Sequence, residues 1–150
     1  MSQGVLGTNV IAQIGILVHD IEATSKAYAE FFGMEPPKWS WTDGVDVAKT
    51  EYHGEPSEAR AKLAFFNMGS LQLELIEPDH HPSTWREYLD AHGEGPHHIA
   101  FVVNGMKTVV QVLEKRGMNV IQKGEYTGGR YAYIDTLDDM KVIFELLEND

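Results

Sequence analysis

The sequence predicts an α+β fold in which two β-α-β-β-β modules form one curved, partly closed sheet. Three observations predict it. Residues 13–34, QIGILVHDIEATSKAYAEFFGM, and residues 98–118, HIAFVVNGMKTVVQVLEKRGM, repeat one order of features: a β-branched apolar run, a polar cap, a helical period and a closing glycine. Residues 71–77, LQLELIE, and 142–148, VIFELLE, are short apolar strands broken by a glutamate at matching places. The length of 150 residues, 43% hydrophobic and 23% charged, suits a single globular domain.

Module one is expected over about 11–78. Its first strand ends at Val18, and Asp20 caps a helix whose Ile21, Ala27, Tyr28 and Phe31 share one face. Gly33 supplies the left-handed C-cap. Two strands are then expected at Val45–Thr50 and Lys62–Asn67, before the closing strand at 71–77. A linking helix, about 83–92, opens at Ser83 and stops at Gly93. Module two, about 97–148, runs from His98 through the cap Asn104 to a helix carrying Met106, Val109, Val110 and Leu113 on one face, closed by Gly117. Strands at Asn119–Lys123, Arg130–Asp135 and 142–148 complete it, the second entered through the Gly128–Gly129 turn.

Charge and composition narrow the function. Twelve basic against 23 acidic residues give a net charge of −11, which argues against nucleic acid as a partner. An anionic ligand would need a local basic pocket, for which Lys38, Lys49, Arg60, Lys62, Arg86 and Arg130 are the candidates. No cysteine is present, which removes disulfides, thiolate zinc sites and a cysteine nucleophile. The longest apolar run, Ile99–Val103, is far short of the roughly 18 residues a membrane span needs, so no membrane partner is expected. The first ten residues lack a basic and then apolar leader, and a cytoplasmic location is expected.

The chemistry-bearing residues emerge from the repeat. Side chains alternate along a strand, so Gln13, Gly15 and Leu17 share one face of the first strand. A shift of 85 residues carries Gln13 onto His98 and Val18 onto Val103, while Glu74 and Glu145 are the lone carboxylates inside the two closing strands. Four polar groups thus occupy two equivalent positions in two modules, and an approximate two-fold would bring them together. Carboxylates on apolar strands need compensation, and a divalent cation supplies it most simply. One imidazole, one amide oxygen and two carboxylates suit one ion of cobalt, nickel, manganese, zinc or magnesium. His80 and His81, in the loop PDHHP, are expected to face water, and His19, His53 and His92 lack partners at ligand spacing. Trp39 and Trp41 either line a pocket or cap the open end of the sheet, and Tyr131 and Tyr133 are expected to pack in the core.

The stretches LQLELIEP, GEGPHHIAFVV and FELLE resemble the vicinal-oxygen-chelate, or glyoxalase-fold, superfamily, and in pattern most closely its methylmalonyl-CoA epimerases. The resemblance covers Ile11 to Glu148. It implies that one metal ion is held by Gln13, Glu74, His98 and Glu145. It further implies an enzyme that moves a proton α to a carbonyl through a metal-stabilised enediolate, with Glu145 as base and Glu74 as reprotonating partner. The implied substrate is a small carbonyl compound or an acyl-CoA, and the implied assembly a homodimer. Epimerases usually carry histidine where this chain has Gln13, which is more like certain glyoxalase I enzymes. Leu17 and Pro78 replace the arginine and asparagine typical of glutathione-dependent members, which makes the glyoxalase-like alternative a lyase or isomerase acting on another substrate. Some bacterial epimerases have a catalytic glutamate in the strand matching 62–67; here the nearest acid is Glu58. A ring-cleaving dioxygenase would need a second histidine at position 13. The remaining alternative is a ligand-sequestering protein of the bleomycin-resistance kind, using Trp39 and Trp41.

Overall fold

The computed structural model describes residues 4–150. In chain order the elements are β1 (Gln13–Leu17), α1 (Ile21–Phe32), β2 (Ser40–Trp41), α2 (Val45–Ala48), β3 (Glu51–Tyr52), β4 (Glu55–Pro56) and β5 (Ala61–Asn67). They continue with β6 (Gln72–Pro78), α3 (Thr84–His92), β7 (Gly95–Val102), α4 (Met106–Lys115), β8 (Val120–Tyr126), β9 (Gly129–Ile134), α5 (Leu137–Met140) and β10 (Ile143–Asn149). One mixed, curled sheet runs β2-β5-β6-β1-β7-β10-β9-β8-β3-β4, so the two halves meet where β1 and β7 pair antiparallel. Ile14 pairs directly with Ile99, its equivalent under the 85-residue shift, and a local two-fold therefore passes through that pair.

The sheet has two dressed surfaces. On its outer face, Ile21 and Ala29 of α1 pack with Ala64, Phe66, Leu73 and Leu75. Equivalent packing sets Met106, Val109 and Leu113 of α4 against Ala132, Ile134 and Leu146. On the inner face, Trp85 and Leu89 of α3 plug one end against Leu17, Ile76, Tyr133 and Ile143. Among the described residues no helix is long and apolar enough to cross a membrane.

Several local expectations need correcting. The α1 face is rotated: Ile21, Ser25 and Ala29 are buried, whereas Ala27 is exposed and Phe31 is 82% exposed. The sheet offers α1 a stripe of i, i+4 spacing, and small side chains let the helix sit close. Asn104 does not cap α4; Gly105, at φ 71°, holds the N-cap position without a side-chain bond. Glu148 Oε2 instead accepts from the Met106 N–H at 2.9 Å, a cap delivered from the last strand. Residues 45–50 are not a strand. They carry the helical turn α2, and the strand beside β5 is the two-residue β2.

That difference shapes the molecule. Residues 42–60 leave one edge of the sheet at β2, place the β3–β4 hairpin against β8 at the other edge, and return to β5. They form a strap that links both edges across the open side. Thr42 ties its two ends together: its oxygen accepts from Arg60 Nε at 2.9 Å, and its hydroxyl accepts from the Ala61 N–H at 3.0 Å. Pro56 lies in the outermost strand, where it blunts the free edge.

Candidate functional site

Register places four polar side chains on the inner face. Gln13 and Glu145 flank Ala100 in one row across the sheet, and Glu74 and His98 flank Gly15 in the next. Gly15 and Ala100 are themselves equivalent under the 85-residue shift, so each module puts a small residue between one donor of its own and one of the other module. At Gly15 this is obligatory: a Cβ would lie 2.1 Å from His98 Cε1 and 2.5 Å from Nδ1. The imidazole lies over the backbone of β1.

All four side chains are buried, and His98 is 0% exposed. His98 Nε2 lies 2.9 Å from Gln13 Oε1, 3.1 Å from Glu145 Oε1 and 3.5 Å from Glu74 Oε1. Gln13 is oriented by its other end, where Nε2 donates to Gln72 Oε1 at 2.6 Å and leaves Oε1 turned to the histidine. A single N–H satisfies one acceptor, and both Glu74 Oε1 and Glu145 Oε1 are buried without a hydrogen-bond donor. His98 Nδ1 meets His97 Nδ1 at 2.9 Å, and His97 Nε2 meets Thr84 Oγ1 at 3.1 Å.

The electrostatics follow from burial and proximity. Burial pushes the Glu74 carboxyl up to about 8, partly offset by His98 and reinforced by Glu145. Burial works against charge on His98, but the Glu145 and Glu74 carboxylates outweigh it and hold the ring above its ordinary value. Burial and the charge of His98 together hold His97 well below the usual histidine range. Tyr131 and Tyr133 are pushed up by burial, with Glu145 and Glu74 adding to it, and remain phenols.

Gln13, Glu74 and Glu145, with His98 buried beneath them, form the floor of a cavity of about 680 Å³, a size that accommodates a small organic molecule. Leu63 and Phe65 line one side, Tyr131 and Tyr133 the other, and Trp41 of β2 with Thr42 and Asp43 of the strap reach its rim. Gly124 makes room for Tyr131, whose ring would lie 2.7 Å from a Cβ there. No lysine or arginine among the described residues lines this cavity. Of the candidate anion contacts, Lys62 pairs with Glu77 at 3.2 Å, Arg86 with Asp90 at 3.2 Å, and Arg130 with Glu148 at 2.8 Å. Lys49 and Arg130 border a separate groove beside α4.

The structure thus brings Gln13, Glu74, His98 and Glu145 together and separates other candidates from them. Glu58 is exposed, 3.8 Å from His81 and absent from the cavity wall. His81 is tethered to Asp79 rather than free in water, with Nδ1 3.1 Å from Oδ2. The two tryptophans divide: Trp39 is half-buried against the module-one core and donates to Glu22 at 3.0 Å, while Trp41 lines the rim. Sequence reasoning missed Tyr131 and Tyr133 as cavity walls, although their parity with respect to Glu145 places them there. It also missed Gln72 and the strap, which only register and chain path reveal.

Comparison with known proteins agrees with this architecture. A sequence model described as the glyoxalase/bleomycin resistance protein/dioxygenase superfamily matches residues 12–134. The uncharacterized protein YqjC of Bacillus subtilis (strain 168) is 34% identical over 144 residues, covering 93% of this chain and 92% of its own. Among solved structures, the methylmalonyl-CoA epimerase of Mycobacterium tuberculosis superposes with a TM-score of 0.65 at 20% identity, covering 100% of this chain and 93% of its own. A methylmalonyl-CoA epimerase in complex with methylmalonyl-CoA and ammonium gives 0.64 at 24% identity, with 93% of both chains covered. The chain belongs to the glyoxalase/bleomycin resistance protein/dioxygenase superfamily.

Proposed function

We propose that this protein is a divalent-cation-dependent enzyme that moves a proton on the carbon adjacent to a carbonyl, with epimerisation of an acyl-CoA such as methylmalonyl-CoA as the nearest chemistry. The observation that carries the reading is the convergence of three side-chain oxygens, two of them buried carboxylate oxygens without donors, on the buried His98 Nε2, just beneath a substrate-sized cavity lined by Gln13, Glu74 and Glu145.

The donor set fits such a cation. Among the described residues no group of three or more histidine, cysteine or acidic side chains is spaced to hold a metal ion as it stands; Glu74 and Glu145 instead contact His98 Nε2 directly. Their separations from Nε2, 2.9–3.5 Å, are close to the ~3 Å expected between neighbouring ligands with bonds of about 2.1 Å. Gln13, Glu74, His98 and Glu145 would hold the ion, and two carboxylates would balance its charge. When bound, the cation would polarise the substrate carbonyl and acidify the neighbouring C–H.

The protein's own groups then do the rest. Glu145 takes the proton as general base, and Glu74 is the group that returns one, its buried position favouring the protonated form whenever it is not ligating. The two carboxyls approach the floor from β6 and β10, on opposite sides of the β1–β7 pair, as delivery and removal from two faces of one carbon require. Leu63 and Phe65 exclude water from one side, and the phenols of Tyr131 and Tyr133 border the other. With no lysine or arginine on the cavity wall among the described residues, the charged tail of an acyl-CoA would stay outside, past the acidic side chains of Asp43 and Glu125.

The test is elemental analysis of tag-free protein before and after chelation, followed by α-proton exchange of methylmalonyl-CoA and neutral thioesters in heavy water. About one bound transition metal per chain and exchange that chelation abolishes are expected. Failure to bind cobalt, nickel, manganese or zinc after reconstitution would overturn the reading and favour a binding protein of the same fold.

A further inference from the structure

His97 is an almost wholly enclosed titratable group that this chemistry does not use. It is 1% exposed and sits among aromatic rings, 5.0 Å from Tyr133 and 5.6 Å from Tyr88, centroid to centroid. A ring there for packing alone would need no polar atoms. Instead both of its nitrogens are engaged, Nδ1 with His98 Nδ1 at 2.9 Å and Nε2 with Thr84 Oγ1 at 3.1 Å. Thr84 is itself fixed at the start of α3, where its N–H donates to Gln122 Oε1 at 2.8 Å. The repeat has no counterpart for this device: the 85-residue shift carries Ala12 onto His97.

The hydrogen-bond directions are forced once Nε2 of His98 must offer a lone pair. Two facing Nδ1 atoms cannot both carry protons at that distance, nor can both be bare. A His98 that coordinates through Nε2 carries its proton on Nδ1, so His97 Nδ1 accepts it and His97 Nε2–H donates to Thr84 Oγ1. We propose that His97 is a positioning residue for His98: by accepting from Nδ1 it selects the tautomer whose Nε2 lone pair faces Gln13, Glu74 and Glu145, and it locks the ring plane over Gly15. The inference rests on the cation-binding reading above, yet it concerns a hydrogen bond within the chain that can be observed on its own.

Two measurements decide it. In cation-free protein labelled with nitrogen-15, histidine ring shifts at neutral pH should show His97 bare at Nδ1 and protonated at Nε2, with His98 protonated at Nδ1 and, while no cation is bound, also at the Nε2 that faces Gln13 and Glu145. A proton on His97 Nδ1 would overturn the proposal. Cobalt(II) titration of variants gives the second readout. His97→Phe fills the aromatic box without accepting and should weaken cobalt(II) binding by about 10–100-fold. His97→Gln can accept from Nδ1–H and donate to Thr84, and should restore most of that loss. Equal affinities in wild type and His97→Phe, or equal losses in both variants at unchanged melting temperature, would reduce His97 to a packing residue. Wild-type protein that binds no cobalt(II) would instead overturn the proposed function, while the ring shifts would still decide the direction of the bond. If His97→Phe fails to fold, the ring shifts and His97→Gln carry the test.

Discussion

Glu74 ties the proposed chemistry to a stability measurement that needs no substrate. Its carboxyl is 7% exposed and pushed from 4.5 to about 8, chiefly by burial. A raised carboxyl favours folding in its protonated form. Its contribution is therefore fully present below about pH 4.5 and is lost as pH rises through about 8. The shift corresponds to a difference on the order of 5 kcal/mol between the two limits. For a chain of this size that is roughly 10–20 °C in melting temperature. His98, also raised, adds in the same direction, its share being lost above its ordinary value. His97, held low, gives the opposite slope, with stability lost as pH falls. Thermal and urea denaturation of chelator-treated protein at pH 5, 7 and 9 should show marked weakening with rising pH, and Glu74→Gln should remove most of it. Saturating cobalt(II) should reverse the trend, because a ligating carboxylate must be ionised. A wild-type stability that stays flat from pH 5 to 9, or a slope that survives Glu74→Gln unchanged, would refute the assignment of a buried, protonated Glu74.

The other consequences are direct. Gly15→Ala sets a Cβ 2.1 Å from His98 Cε1, so overpacking should cost about 1–3 kcal/mol in denaturation and abolish cobalt(II) binding in calorimetry. Glu145→Gln should retain the fold by circular dichroism yet slow α-proton exchange in heavy water by at least about 100-fold; full exchange in that variant would remove Glu145 as the base. Cobalt(II) binding at pH 7 should release on the order of one proton from Glu74, read by calorimetry in buffers of different ionisation heat.

The parts of the fold legible in the sequence were those that repeat. Parity along QIGIL and the matching glutamates of LQLELIE and VIFELLE required four side chains to face one way, and the register bears out that geometry. The curved α+β sheet and the superfamily follow from the same segments. What could not be read was whatever depends on partners distant in sequence. The buried face of α1 differs from the sequence expectation because aromatic Phe31 outweighs Ser25 in any hydrophobic count, whereas the sheet takes the smaller residue. Asn104 carries the usual cap chemistry, but Glu148, 42 residues away, reaches the same helix end. Residues 45–50 look strand-like on β-branching alone; their strap geometry depends on the distant edge strand β8. Tyr131 and Tyr133 do pack in the core beside Trp85, as their strand face suggests, but two tyrosines on one face say nothing of the cavity they also wall.

Duplication places the donors, and divergence between the halves sets what surrounds them. Glu74 pairs across its hairpin with Phe65, and Glu145, its equivalent, pairs with Tyr133. One step further, Ile76 pairs with Leu63 and Leu147 with Tyr131. The module-one wall is thus hydrocarbon, while the module-two wall carries two phenols, one accepting from Trp85 at 2.9 Å and the other from Gln122 at 3.0 Å. Gln122 Oε1 already accepts from the Thr84 N–H, which fixes its amide nitrogen toward Tyr131 and leaves the phenolic proton uncommitted to Gln122. A ligand over His98 therefore meets apolar contact on one side and hydroxyl donors on the other, so its polar edge is directed toward module two. An enolate oxygen developing on that edge would be met by neutral donors already in place, where burial makes each worth more than in water. Tyr131→Phe, which removes one hydroxyl and keeps the ring, should therefore lower the turnover of α-proton exchange while leaving cobalt(II) affinity unchanged; loss of metal affinity instead would place Tyr131 in the support of the donors rather than in the wall that faces the substrate.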